Sequence, residues 1–208
     1  MRITIGISLS FAAVVLLGSA RVSAQLVTQL SAGDSHSCAR LLDGTARGWG
    51  LNAQGQLGNG TTLSSPFAVQ VNGLAGVVAV SAGDEHTCAL LTNGTARCWG
   101  ANFDGQLGDG TTTQRSTPVP VTGLSNATAL AASGSHTCAL LATGSVRCWG
   151  LNADGQLGDG TELARQAPVS VLGLSTVARC SRPEVCAAGA STDSAPSAMA
   201  RRRVDSPR

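Results

Sequence analysis

Past the first two dozen residues, the apolar positions of this chain come in short runs that glycines and polar side chains repeatedly interrupt. In the middle of the chain the runs Val77–Ala82, His86–Leu91, Thr95–Gly100 and Pro118–Thr122 predict four β-strands. Between the last two lies NFDGQLGDGTTTQRS, which is too rich in glycine and polar residues for a strand and predicts a compact loop. Pro118 and Pro168, with Pro66 two positions out of phase, are placed at the opening of the last strand, an edge position where a missing amide is tolerated.

The same pattern recurs on both sides. GDEHTCALLTNGTARCWGANFDGQLGDGT is preceded by GDSHSCARLLDGTARGWGLNAQGQLGNGT and followed by SGSHTCALLATGSVRCWGLNADGQLGDGT. Trp49, Trp99 and Trp149 fall in register at a period of fifty residues, as do His36, His86 and His136, and Gln56, Gln106 and Gln156. Leucine-rich, ankyrin and tetratricopeptide units are shorter, whereas four strands of about 5 to 6 residues plus turns fill this length. The arithmetic describes a propeller blade. The expected fold is all-β, with about three four-stranded blades (about 31–80, 81–130 and 131–178, within a repeat region of 25–178) forming a partial, open propeller.

Composition agrees with strands and tight turns: 3% aromatic residues, no Tyr and 26 Gly do not suit a helix bundle. The long apolar run from Ile3 to Gly18 follows Arg2 and precedes Val22, Ser23 and Ala24, the small-residue spacing that a signal peptidase reads. Residues 1–24 are therefore expected to be a signal peptide, with the mature chain secreted to the extracellular space or periplasm and carrying no membrane span. The net charge of +2 divides unevenly: the two termini contribute +2 and +3, while the repeats carry six Arg against nine acids. A mildly acidic body offers no face for neutralising phosphates, so nucleic acid is excluded as a partner.

The joint pattern HTCALLTNGTARCWGANFDGQLGDG resembles the repeat of the regulator of chromosome condensation family, whose blades carry a His, a Gly turn, a Trp-Gly pair and a Gly-Gln-Leu-Gly loop. The resemblance covers about Ser31 to Leu174 in three copies. It implies a closed ring of about seven blades in complete members, and a binding role. The family's founding member is a nuclear exchange factor for a small GTPase, and its secreted bacterial relatives include an inhibitor of β-lactamases. Neither partner transfers directly to an exported, mildly acidic chain.

Counting back from a turn that ends at Gly94 puts Cys88 opposite Cys98, and the same count puts Cys138 opposite Cys148. Such cross-strand neighbours have the β-carbon separation a disulfide needs, and an oxidising compartment favours the bond. In the first repeat Cys38 meets Gly48 instead. With seven cysteines at least one is left over, and Cys180 and Cys186 could join each other or Cys38.

Several residues invite a chemical reading that the spacing resists. Asn102, Asp104 and Asp109 resemble oxygen ligands of calcium, yet the first repeat has Gln54 and Asn59 at the aspartate positions and no bidentate Glu follows. A phosphate cradle would need a helix N-terminus after the loop. Instead Gln106 is expected to bridge exposed main-chain groups and Leu107 to pin the loop into the core. The three histidines stand a whole blade apart, so each is expected to tie a strand start to a neighbouring loop rather than to share a metal. The indoles are expected to pack between blades, because the small Ser37, Thr87 and Thr137 sit opposite them and leave room. No nucleophile with its base, metal set or cofactor motif is present, so no enzyme activity and no cofactor are expected.

Beyond residue 178 the pattern stops, and the Arg-, Ala-, Ser- and Pro-rich tail 179–208 is expected to be disordered and to mark a truncated gene product. The rival expectation is self-association that completes a ring. The chain is read as a secreted interaction scaffold for an extracellular protein or cell-surface ligand. Its contact surface would lie where the repeats differ most, at Leu63–Pro66, Thr113–Ser116 and Leu163–Gln166. Inhibition of a secreted enzyme such as a β-lactamase is the first alternative. The second is a polysaccharide hydrolase or lyase using a carboxylate such as Asp104.

Overall fold

The structure is a computed structural model that describes residues 26–174. The expected signal peptide 1–24 and the tail from 179, with Cys180 and Cys186, lie outside the described residues. Within them the fold is all-β and forms three four-stranded antiparallel sheets whose strand order follows the chain. The first blade consists of β1 (Val27–Ala32), β2 (His36–Leu41), β3 (Ala46–Gly50) and β4 (Ser65–Gln70). The second is β5 (Val77–Ala82), β6 (His86–Leu91), β7 (Ala96–Gly100) and β8 (Arg115–Pro120). The third is β9 (Ala127–Ser133), β10 (His136–Leu141), β11 (Val146–Gly150) and β12 (Arg165–Ser170). Strand β5 touches both β1 and β9, so first strands line the inside of the arc and fourth strands form its outer edge. Among the described residues the arc is not closed into a ring.

The central hairpins are short because their turns are closed locally. Leu91 donates its amide to the Thr95 carbonyl, Gly94 takes φ of +74°, and Asn93 Oδ1 accepts from the Thr95 amide at 3.0 Å. That turn fixes the register, pairing Thr87 with Trp99 and Cys88 with Cys98.

The outer strand differs from the sequence expectation. It spans Arg115–Pro120 rather than Pro118–Thr122, and Pro118 lies inside it instead of opening it. The reason is a bulge: Gly100 pairs with Arg115 and pairing resumes only at Cys98 with Val119, so Pro118 falls in the irregular part, where its missing amide leaves no ladder bond unmade.

The core sits between blades rather than inside them. One cluster joins Cys38, Val71 and Leu74 of the first repeat to Val77, Val80 and Trp99 of the second. The next joins Leu107, Val121 and Leu124 to Ala127, Ala139 and Trp149. Polar bonds stitch the same seams. The Gln29 side chain brackets Val80, accepting from its amide at 2.9 Å and donating to its carbonyl at 3.2 Å. Ser31 Oγ accepts from the Ala82 amide, and Ser81 Oγ accepts from the Ala132 amide. Farther out, Gly60 donates to the Ser116 carbonyl and Gly110 to the Gln166 carbonyl, both at 2.9 Å. Ser116 and Gln166, which the sequence placed in the contact surface, are therefore parts of the seam.

Cys88–Cys98 and Cys138–Cys148 are disulfide-bonded, each with Cα atoms 4.1 Å apart. Among the described residues Cys38 is an unpaired, buried thiol facing Gly48. Burial pushes its pKa up to about 12, so it stays protonated and inert at neutral pH.

These seams make two measurable statements. Trp99→Ala should lower the unfolding free energy by about 3–5 kcal/mol, whereas Trp49→Ala, whose indole meets no preceding blade among the described residues, should cost less than half as much in urea melts. Cys88→Ala/Cys98→Ala should lose about 2–3 kcal/mol relative to the oxidised parent, and dithiothreitol should produce a comparable loss in the parent.

Candidate functional site

The loop after each third strand carries the side chains that look most like chemistry. In the second blade it leaves β7 at the rim, where the Ala101 amide meets the Glu85 carbonyl. It then crosses the blade face, so that Leu107 is fully buried and the Gly108 carbonyl accepts from Thr122. Asn102, itself fully buried, organises this path. Its Oδ1 accepts from the Leu107 amide at 3.0 Å, while its Nδ2 donates to the Thr111 and Thr113 carbonyls, both at 3.0 Å. Asn52 and Asn152 do the same in their loops. Gln106 Oε1 accepts from the Asp104 amide at 3.0 Å, as Gln56 and Gln156 do for residues 54 and 154. Asn102 thus spends its oxygen on the loop's own backbone, and no group of His, Cys, Asp or Glu able to hold a metal exists among the described residues.

Asp109 serves the same end. Its Oδ1 accepts from the Thr111 amide and hydroxyl, and its Oδ2 from Arg115 Nε at 3.2 Å. Desolvation is its largest single influence and works upward, but hydrogen bonds from Thr111, Asn102 and Arg115 together hold its pKa below the ordinary value. In the third blade Thr161 and Arg165 hold Asp159 down to about 2, the Thr161 hydroxyl foremost. The first blade has lost both partners together, with Asn59 and Ser65 in their places.

The backbone carbonyl of Gln106 is the point where two blades lock. It accepts from Trp149 Nε1 at 2.9 Å and from the Thr137 hydroxyl at 3.1 Å. The Gln56 carbonyl receives Trp99 and Thr87 in the same way, at 2.8 and 3.0 Å. Gly58 and Gly108 allow the approach: both have positive φ, and a Cβ on either would lie 2.7 Å from the indole nitrogen. Because each Thr hydroxyl gives its proton to a carbonyl, it must accept from histidine. His36 Nε2 lies 2.8 Å from Thr87 Oγ1 and His86 Nε2 lies 2.8 Å from Thr137 Oγ1, so Nε2 carries the hydrogen in both rings. The sequence expected each His to tie to a loop. Its direct partner is instead a Thr on the next blade's second strand, which relays the bond to the loop. His136, Trp49 and Gln156, at the two ends of the arc, lack these neighbours and are only half-buried.

His86 is fully buried and its pKa falls to about 3, first through desolvation and then through the charges of His36 and His136. Burial also lowers His36. His86 Nδ1 has no hydrogen-bond partner among the described residues, so a proton there would be stranded. Neither the asparagine hubs nor the Asp–Arg pairs were among the sequence expectations; their recurrence fifty residues apart was the available signal.

Two outcomes follow from this wiring. Burial lowers the pKa of both histidines in the fold, so the stability they lend is complete above pH 6.5 and drains away as pH falls, for His86 toward about 3. Urea melts between pH 7 and pH 5, above the carboxylate range, should show stability falling with a slope to which His86 alone contributes up to about 1.4 kcal/mol per pH unit, and His86→Gln should flatten that slope. Asn102→Asp removes the donors to two carbonyls and adds a charge beside Asp109; it should cost at least about 2 kcal/mol, read by the same melts.

No curated protein sequence matches the chain. Among solved structures it is similar to human WBSCR16, with a TM-score of 0.64 and 24% identity over 72% of this chain and 38% of that one. It is also similar to yeast RCC1 (Prp20) in its complex with Kap60, with a TM-score of 0.65 and 21% identity over 74% of this chain and 39% of that one. Prp20p from Saccharomyces cerevisiae gives 0.61 and 20% over the same shares. The chain thus spans about two-fifths of the length of these structures, and at such identities the likeness establishes the fold. The regulator of chromosome condensation (RCC1) repeat matches residues 27–56, 77–106 and 127–156 in one form and 43–90, 93–140 and 143–191 in another, the last running past the described residues. With adjoining matches over well more than half its length, the chain belongs to the regulator of chromosome condensation repeat family.

Proposed function

We propose that the chain is a non-enzymatic, exported binding scaffold that engages a protein or cell-surface ligand through the tips of its long loops. The observation that carries this reading is the division of labour among side chains. His, Thr, Trp, Asn and Gln at repeating positions are consumed in holding loops and blades together. Exposed positions on the loops instead vary between copies: Leu63, Thr113 and Leu163 at one, and Ala53, Phe103 and Ala153 at another. Leu63 is 75% exposed, Leu163 66% and Phe103 60%, so large apolar side chains stand in solvent on a frame that does not need them.

Two further points support the reading. Two of the matched structures are of a protein that binds other proteins: yeast RCC1 (Prp20) is bound to Kap60, and Prp20p is described with binding properties toward Gsp1p and histones. The paired cysteines suit an oxidising compartment, and no described helix is long and apolar enough to cross a membrane.

Expression with residues 1–24 in a bacterial host should yield exported protein whose N-terminal sequence begins at Gln25; retention of Met1 would refute export. For the binding role, Leu63→Asp/Phe103→Asp/Leu163→Asp should leave the melting temperature within a degree or two and weaken binding to a purified ligand at least tenfold. Unchanged affinity would move the surface elsewhere, and turnover on a glycan panel that is abolished by Asp104→Asn would replace the scaffold by an enzyme.

A further inference from the structure

The two ends of the arc are complementary to each other. Inside the chain, each seam is made by a face carrying the Trp of the later blade and a loop socket on the earlier one. The first blade presents that Trp face with no earlier blade beneath it among the described residues. Trp49 lines a cavity of about 400 Å³ there with Leu30 and Phe67. Leu30 is 66% exposed, whereas Val80, at the same position in the second blade, is 2% exposed.

The third blade presents the matching socket, equally uncovered among the described residues. A Cβ on Gly58 or Gly108 would strike an indole, and one on Gly55 or Gly105 would lie 2.6 Å from the backbone of Ser116 or Gln166. At Gly155 the same Cβ would meet nothing within 4 Å. Gly155, Gly158 and Leu172 instead border an open cavity of about 560 Å³.

The ends also differ from the internal seams in a way that favours contact between them. Next to Gly60 the first seam brings together Asn72 and Thr117. The corresponding residues at the ends are Leu172, beside Gly160, and Phe67. Two polar residues are thus replaced by two large apolar ones that are 64% and 78% exposed, a costly choice for surfaces that stay wet. Pro66, out of phase with the other prolines, stands where Ser116 and Gln166 accept a bond from Gly60 and Gly110 through their carbonyls alone. Proline keeps that carbonyl, so it can accept from Gly160.

We propose that copies of this chain associate head to tail, the Trp49 face of one seating on the Gly155–Gly160 loop of the next, with Phe67 against Leu172. The contact is heterologous: each copy offers one of each surface, so it grows until a ring closes or continues as a chain. This inference goes beyond the scaffold reading and does not depend on it.

Sedimentation velocity of the full chain tests it. At tens of micromolar the parent should sediment as an oligomer. Phe67→Asp and Leu172→Asp, both at exposed positions, should each sediment as monomers with unchanged melting temperature. Gly155→Asn, whose side chain tolerates left-handed backbone and has room within one copy, should behave like Leu172→Asp. An equimolar mixture of Phe67→Asp and Leu172→Asp chains should then form a one-to-one dimer and nothing larger, because each retains one intact surface. A monomeric parent, as when residues outside 26–174 cover the socket, overturns the proposal. So does failure of the mixture to pair, or sensitivity to Phe67→Asp alone, which would signal a symmetric contact between two Trp faces.

Discussion

One backbone carbonyl per seam holds this molecule together. The Gln56 and Gln106 carbonyls each accept an indole N–H and a threonine hydroxyl from the following blade, and that hydroxyl accepts in turn from a histidine of the preceding one. The indole supplies a large apolar area, and its N–H prevents sliding, since displacement would leave a buried donor unpaired. Everything else in the seam is arranged to let the ring reach the carbonyl. A glycine without a side chain lies under the indole, a small Thr sits opposite it, and a leucine one position beyond the glutamine fills the space below.

That carbonyl can act as a fixed point only because the loop bearing it is stiff. Asn102 reaches both arms of its loop at once, with an acceptor for Leu107 and donors for Thr111 and Thr113, so a single buried amide replaces much of the hydrogen bonding that strands would supply. The Asp109–Arg115 pair ties the loop's exit to the start of β8, while β4, without that pair, begins at the matching residue Ser65. The first blade lacks this pair but keeps the asparagine hub, and its loop takes the same path, so the hub dominates and the ion pair is supplementary.

The consequence for function is a separation of roles. Side chains that carry chemistry in many enzymes serve here as joinery: His36 and His86 are buried at a seam, Asp109 and Asp159 accept from their own loops, and the Cys38 thiol is buried and protonated. What this joinery leaves unused is the outer part of the loops and, among the described residues, the two end faces of the arc. Those regions differ most from copy to copy, and the frame tolerates that difference because its bonds run through backbone groups and a few repeated side chains.

Much of this was legible in the residue order. Three copies in register identified blades and their number, and counting from Gly94 located the facing cysteines and the Trp–Thr pairs, because hairpin register is a local property. The position of the edge strands was not legible, since it rests on a bulge rather than on periodicity. Nor was the partner of each histidine. Its distance to Thr87 or Thr137 spans 51 residues and exists only once two sheets are stacked, so no local pattern encodes it. The order of amino acids by itself determined the unit and its folding, through local turn chemistry and alternation. The tertiary arrangement decided how units grip each other and which faces stay open, because those depend on atoms brought together from separate repeats.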